Sequence, residues 1–173
     1  GGARRPGRGA AGPRHVAVDC RERPVCAVHG RDWLALHYWR SRAGGRIGLA
    51  NWTPAGFLGD LFRAVARLVP PPPGVLSPLA WGTETRLVEL FGPQAEDIRT
   101  ERRHYMFRYR SAAHFIEVFR AYYGPTHKAF ASLDEARQGE LHDALMQLLN
   151  THNRANGPAL VVPGEYLEVV ITK

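Results

Sequence analysis

The chain has 173 residues, 45% hydrophobic and 23% charged, which is the length of one domain with enough apolar side chains for a core. No run approaches eighteen apolar residues and the first residues are Gly, Arg and Pro, which argues against a membrane-spanning helix and a secretory signal; collagen, coiled coil and wholesale disorder fall on composition. The net charge of +7 belongs to the first 46 residues, which hold 10 arginines, no lysine and 3 acids, while the remainder has 13 residues of each sign. A nucleic-acid reading must therefore rest on that arm, and nucleic acid is not an expected partner of the folded part.

Residues 1–14 carry too few side chains to bury and too many glycines to order cheaply, so disorder is expected there. Up to residue 42 the arm is irregular, with one aromatic run, Trp33 to Trp39, long enough for two helical turns. Its two cysteines, Cys20 and Cys26, are too few for a disulfide framework, which favours a reducing, cytoplasmic compartment. His15, Cys20, Cys26 and His29 are zinc-ligand types, but their spacing is wider than finger spacing, and no metal is expected.

From Gly44 the character changes. Gly44-Gly45 turns into the apolar run 46–52, in which Gly48 and Ala50 alternate with larger residues, the pattern of a buried strand closely approached by helices. Thr53 and Pro54 read as N-cap and first position of a helix bearing Phe57, Leu58, Leu61, Phe62, Val65 and Leu68, ended by Pro70 to Pro73. After Trp81, Thr83 caps a second helix closed by Gly92-Pro93. Residues 98–110 alternate as a strand: Tyr105, Phe107 and Tyr109 face one way, while Arg102, His104, Arg108 and Arg110 form a wet face.

Ser111 opens an aromatic-rich helix stopped by Gly124-Pro125. Ser132-Leu133-Asp134-Glu135 reads as a capping box ahead of Leu141, Leu145, Leu148 and Leu149. One or two final strands occupy 159–172. Strand, helices, strand, helices, strand is the order of an α/β protein with helices over a sheet.

The segment Ala43-Gly44-Gly45-Arg46-Ile47-Gly48-Leu49-Ala50-Asn51-Trp52-Thr53-Pro54 resembles the fifth-strand region of class I S-adenosylmethionine-dependent methyltransferases. From Pro70 onward the chain is similar to one branch of that superfamily at Pro70 to Val75, Ser77-Pro78-Leu79, Trp81-Gly82-Thr83-Glu84, Phe107 to Ser111, Tyr122 to Thr126 and Tyr166 to Val170. The likeness spans about residues 43–173, and departs at Ala43, where the family usually has Pro. It implies the C-terminal half of a Rossmann-like methyltransferase sheet, with strands near 46–52, 98–110 and 159–172 and inserted cap helices. The family's glycine-rich cofactor turn has no counterpart here, since Gly7-Arg8-Gly9 lacks the flanking strand and helix. The resemblance thus implies a truncated enzyme, inactive alone, whose full form would use S-adenosylmethionine and a small-molecule methyl acceptor. The arm's Arg, Gly, Ala, Pro, His and Cys usage is what out-of-frame translation of a GC-rich gene produces, and a frameshift upstream of residue 43 is the accompanying hypothesis.

Methyl transfer from a sulfonium needs alignment, exclusion of water and at times a base. Ligands of open α/β sheets lie at the carboxyl ends of strands, which singles out Asn51, Trp52 and Thr53; the plainer alternative is that Asn51 and Thr53 cap a helix and Trp52 is core. The resemblance places Phe57, Trp81, Tyr105, Tyr122 and Tyr123 in segments that cover the acceptor pocket, although aromatic stripes are more often core. His104, His114 and His127 are candidate bases. The competing function is a non-enzymatic ligand-binding α/β protein whose aromatic cap holds an apolar ligand and whose basic arm contacts nucleic acid.

Overall fold

The computed structural model describes residues 43–173; the basic arm, the aromatic run 33–39 and the His/Cys set lie outside the described residues. Three strands and five α-helices occur in this order: β1 (Arg46–Trp52), α1 (Gly56–Leu68), α2 (Glu84–Phe91), β2 (Asp97–Tyr109), α3 (Ala112–Tyr122), α4 (Gly124–Ala131), α5 (Glu135–His152) and β3 (Leu160–Thr172), with a 3-10 turn at Pro78–Gly82. The strand ranges expected from sequence are thus met within a residue or two, with 160–172 forming one strand and not two. The sheet order is β1-β3-β2, with β3 antiparallel to both neighbours.

The register of β3 runs unbroken from Leu160 opposite Tyr109 to Thr172 opposite Asp97. Alternation then sends Leu160 and Val162 to one face and Leu167, Val169 and Ile171 to the other. The first face packs at its end on α1, α3, α4 and α5 through Phe57, Leu61, Phe107, Phe115, Leu141 and Leu145. The second packs at the opposite end on Leu87 and Phe91 of α2. Two small cores therefore sit on opposite faces at opposite ends of the sheet, joined through β3.

This arrangement corrects two expectations. The middle of β2 is open on both faces, not one, and Tyr105 is 56% exposed. In β1, Gly48 and Ala50 are exposed, and nothing lies within 4 Å of where a Gly48 Cβ would stand; no helix among the described residues approaches them. The outer edge of β1 is likewise unpaired among the described residues.

Capping is partly as expected. Thr83 and Ser111 accept hydrogen bonds from the backbone N–H groups of Arg86 and His114. Thr53 does not cap α1: the N-cap is Ala55, without a side-chain bond, and the helix begins at Gly56, whose φ of 67° is open to glycine. Ser132 closes α4 by donating to the Ala129 carbonyl, so Asp134, not Ser132, caps α5. Gly124-Pro125 ends α3 but also starts α4, with Pro125 in the first turn, where its missing N–H costs nothing.

A polar link ties α1 to α5: His152 Nε2 lies 2.8 Å from the Asp60 carboxylate, which also accepts from Arg63. Burial pushes the Asp60 carboxyl up, but hydrogen bonds from Arg63 and His152 and their charges outweigh it and hold it below 3.8. A depressed carboxyl contributes stability above its unfolded value, lost as pH falls through the folded one. Wild type is expected to exceed Asp60→Asn by up to about 1 kcal/mol at pH 5, since the group is partly solvated. That margin should shrink as pH falls below about 4. Urea unfolding of both proteins at pH 3, 4 and 5 checks this, and a margin unchanged at pH 3 refutes it. No helix among the described residues is long and apolar enough to cross a membrane.

Candidate functional site

Where β1 ends, the chain leaves the sheet at Thr53, opposite Glu165 of β3. The Thr53 N–H donates to the Glu165 carbonyl at 3.2 Å, and the Thr53 hydroxyl donates to the Glu165 carboxylate at 2.7 Å. Thr53 is only 3% exposed, so the hydroxyl that sequence assigned to a helix cap is instead spent on a carboxylate 112 positions away. The other Glu165 oxygen faces His104 Nε2 at 3.9 Å. Glu165 is thereby fixed by one neutral donor and approached by one imidazole.

Thr53 and Glu165 border a cleft of about 260 Å³ with Thr83, Glu84, Arg102 and Leu167. One wall is the 3-10 turn, whose last residue, Gly82, lies hard against the Trp52 carbonyl; a Cβ on Gly82 would sit 2.0 Å from that oxygen. The Thr83 hydroxyl donates to the Ala80 carbonyl at 2.7 Å, and Glu84 accepts from Thr100 at 3.2 Å, which ties the turn and the start of α2 to β2. Arg102 has no carboxylate within salt-bridge distance among the described residues, whereas Arg103, on the other face, pairs with Glu101 and Glu168. Among the described residues the cleft therefore presents a fixed carboxylate and a guanidinium without an acidic partner, opposite charges of the kind that suit a small polar molecule.

Asn51, one residue before Trp52, is half-buried, and its side-chain nitrogen is buried with no hydrogen-bond partner. An orphaned buried donor costs about 1–3 kcal/mol, so it is a place where an acceptor from outside the described residues would be strongly favoured.

The structure separates the other expected site residues. Trp52 points to the opposite face, ringed by Phe107 at 5.7 Å, Tyr166 at 6.1 Å and Tyr105 at 6.4 Å. Trp81 packs on Phe91 at 6.4 Å beside the cleft wall. Phe57 is fully buried in the larger core and does not line this cleft. Tyr122 is 85% exposed at the end of α3, and Tyr123 packs on Phe119 at 4.8 Å, where burial pushes its phenol pKa up. Asn51, Thr53 and the turn after Trp81 are thus at one end of β1, and Tyr122 and Tyr123 belong to a different element, α3 and its C-cap.

Of the candidate bases, His104 faces Glu165. His127 Nδ1 is 2.9 Å from the Arg120 carbonyl, which can only accept, so that ring carries its proton there in a structural bond. His114 packs edge-on to Tyr109 at 5.6 Å. Among the described residues no three His, Cys, Asp or Glu side chains gather as metal ligands. Glu165 was missed from sequence because Gly164-Glu165 looks like a break between two strands; the available signal was an acid set inside an otherwise apolar alternation.

No protein-family model matches the chain. It is similar to uncharacterised proteins of Mycobacterium bovis and Mycobacterium tuberculosis, each 33% identical over 97 residues, or 55% of this chain and 35% of the relative. A second uncharacterised protein of Mycobacterium tuberculosis is 31% identical over 96 residues, covering 54% of this chain and 35% of its own length. The matched part of the chain thus spans about a third of the length of these curated relatives.

Proposed function

We propose that residues 43–173 are the acceptor-binding part of a class I S-adenosylmethionine-dependent methyltransferase that acts on a small molecule. The observation that carries this reading is the polar cleft at the carboxyl end of β1, where a strand with one open edge delivers Thr53 to Glu165. Among the described residues, the unpaired edge of β1, the bare face at Gly48 and Ala50 and the Asn51 amide without a partner add support, since each is stabilised when further strands, helices or a ligand adjoin β1. Relatives roughly three times as long as the matched segment are compatible with that extension.

The described residues do not by themselves fit the cofactor. The cleft is walled by Glu84 and Glu165 and offers no glycine-rich run of backbone N–H groups. When bound, the cofactor would supply the methyl group. The chain's own contribution is on the acceptor side: Glu165, held by Thr53, accepts a hydrogen bond from the acceptor's O–H or N–H, Arg102 binds an anionic end, and the 3-10 turn excludes water from one side.

Calorimetric titration with S-adenosylmethionine tests the reading on the 173-residue chain and on a version whose upstream region is rebuilt from the alternative reading frame. Binding by the rebuilt protein alone is the expected result. No binding by either overturns it in favour of the non-enzymatic ligand-binding protein. Thr53→Val should lower stability by about 1.5 kcal/mol, measured by urea unfolding, because a hydrogen bond to a charged group is lost and the Glu165 carboxylate keeps one neighbour fewer.

A further inference from the structure

The Glu165 side chain is 19% exposed, and one of its carboxylate oxygens is held by the Thr53 hydroxyl. The other lies 3.9 Å from His104 Nε2, beyond hydrogen-bond reach, and has no other partner among the described residues. Arg102 stands opposite Leu167 in the register of β2 and β3. Glu165, two residues along β3, is therefore its diagonal neighbour on the same face, at about 7–8 Å between Cα atoms. An arginine reaches a glutamate over that span, yet among the described residues no ion pair joins the two, and both border the cleft. Glu84 adds a second carboxylate to the lining, which accepts from the neutral Thr100 hydroxyl.

Charge balance narrows the ligand. A simple amine would leave Arg102 unpaired, a simple carboxylate would bring a further negative group to Glu84 and Glu165, and a neutral alcohol would match none of the charges. Each mismatch is costly in a partly enclosed site, where water screens less. A zwitterion meets both signs at once: an ammonium offers three N–H donors to carboxylate oxygens, and a carboxylate matches the guanidinium fork. The cleft volume of about 260 Å³ is below the about 300–1,000 Å³ of pockets that take drug-sized ligands, so the molecule is small.

We propose that the cleft selects a small α-amino acid, its ammonium at the free Glu165 oxygen and its carboxylate at Arg102. This names the class of the acceptor and rests on reading the cleft as the acceptor site.

L-Alanine is the probe, titrated into the full chain to millimolar concentration and followed in NMR spectra, beside ethylamine, which lacks its carboxylate, and propionate, which lacks its ammonium. Ethylamine and propionate are each expected to bind at least tenfold more weakly than L-alanine. Arg102→Gln should lower L-alanine affinity at least tenfold and leave ethylamine affinity unchanged. Glu165→Gln, whose amide oxygen still accepts from Thr53, should lower L-alanine affinity by a similar factor without weakening propionate. Arg103→Gln, which alters a paired arginine on the other face of β2, should bind as wild type does. Absent L-alanine binding, a control ligand that binds as tightly as L-alanine, or equal loss in Arg103→Gln each overturns the proposal. L-Alanine binding where neither version of the chain binds S-adenosylmethionine overturns the methyltransferase reading and supports the amino-acid site. Absent L-alanine binding beside S-adenosylmethionine binding by the rebuilt protein overturns the amino-acid inference alone. Circular dichroism of each variant confirms that the comparison is between folded proteins.

Discussion

Phe57→Ala is expected to destabilise the protein by about 3–5 kcal/mol, the range for removing a fully buried phenylalanine. Phe57 is 0% exposed and lies 5.6 Å from Phe115, 6.0 Å from Phe107 and 5.8 Å from His152, ring centre to ring centre. It therefore joins α1 to β2, to α3 and to the end of α5 at once. Those neighbours are anchored in different elements, so they cannot collapse together into the space left behind. Against a typical total stability of about 5–15 kcal/mol this is a large fraction. Urea unfolding followed by circular dichroism reads it directly, and a loss below about 1 kcal/mol would show that Phe57 is not at the centre of the larger core. Phe57→Leu keeps most of the volume and should recover over half of the lost stability.

Gly82→Ala is expected to cost about 3 kcal/mol, at the upper end of overpacking penalties. The added methyl would stand 2.0 Å from the Trp52 carbonyl oxygen, 2.6 Å from its carbon and 2.7 Å from the Thr53 Cα. All three are backbone atoms, so no rotamer change relieves the overlap, and the 3-10 turn must move away from the end of β1. That displacement opens the wall of the cleft beside Thr53 and Glu165, so binding of the proposed acceptor there should weaken along with stability. Gly139→Ala in α5 is the control: nothing lies within 4 Å of its Cβ position, and the substitution should stabilise by about 0.5–1 kcal/mol through helix propensity. Thermal unfolding of the pair separates steric overlap from the general effect of replacing glycine. Equal behaviour of the two variants would refute the close packing of Gly82 on Trp52.

Local patterns carried the secondary structure well where the decisive atoms are close in sequence. An apolar run located β1, alternation located β2 and the closing apolar segments located β3, and the hydroxyls of Thr83 and Ser111 cap the helices they precede, because cap and capped N–H are three residues apart. The same reasoning failed where a nearer or better partner competed for the hydroxyl. Thr53 has a carboxylate from β3, 112 positions ahead, and Ser132 a carbonyl of α4, three positions back, and neither partner is visible to a rule that looks only at the next three residues. Helix α4 was missed because Gly124-Pro125 is both a stop for one helix and a start for the next.

At the candidate site, Asn51 and Thr53 were legible as residues at the end of a strand, but Glu165 and the role of Arg102 were not. The expected aromatic lining dispersed instead: Phe57 went to the core and Trp52 to the opposite face, while Tyr122 stayed in solvent, 85% exposed. Hydrophobicity alone does not say which face of a sheet a ring will join, because that depends on which helices cover each end.

By itself, then, the sequence determined the strands, most helices, the uneven charge and the small polar residues closing β1, since all of these arise from side chains within one or two turns of each other. Only the tertiary structure decided the strand order β1-β3-β2, the two cores on opposite faces, the open edge and bare face of β1, and the meeting of Thr53 with Glu165. These depend on pairing between segments far apart in the chain, from 51 positions between Tyr109 and Leu160 to 126 between Arg46 and Thr172, where register and burial, not local propensity, set the energy.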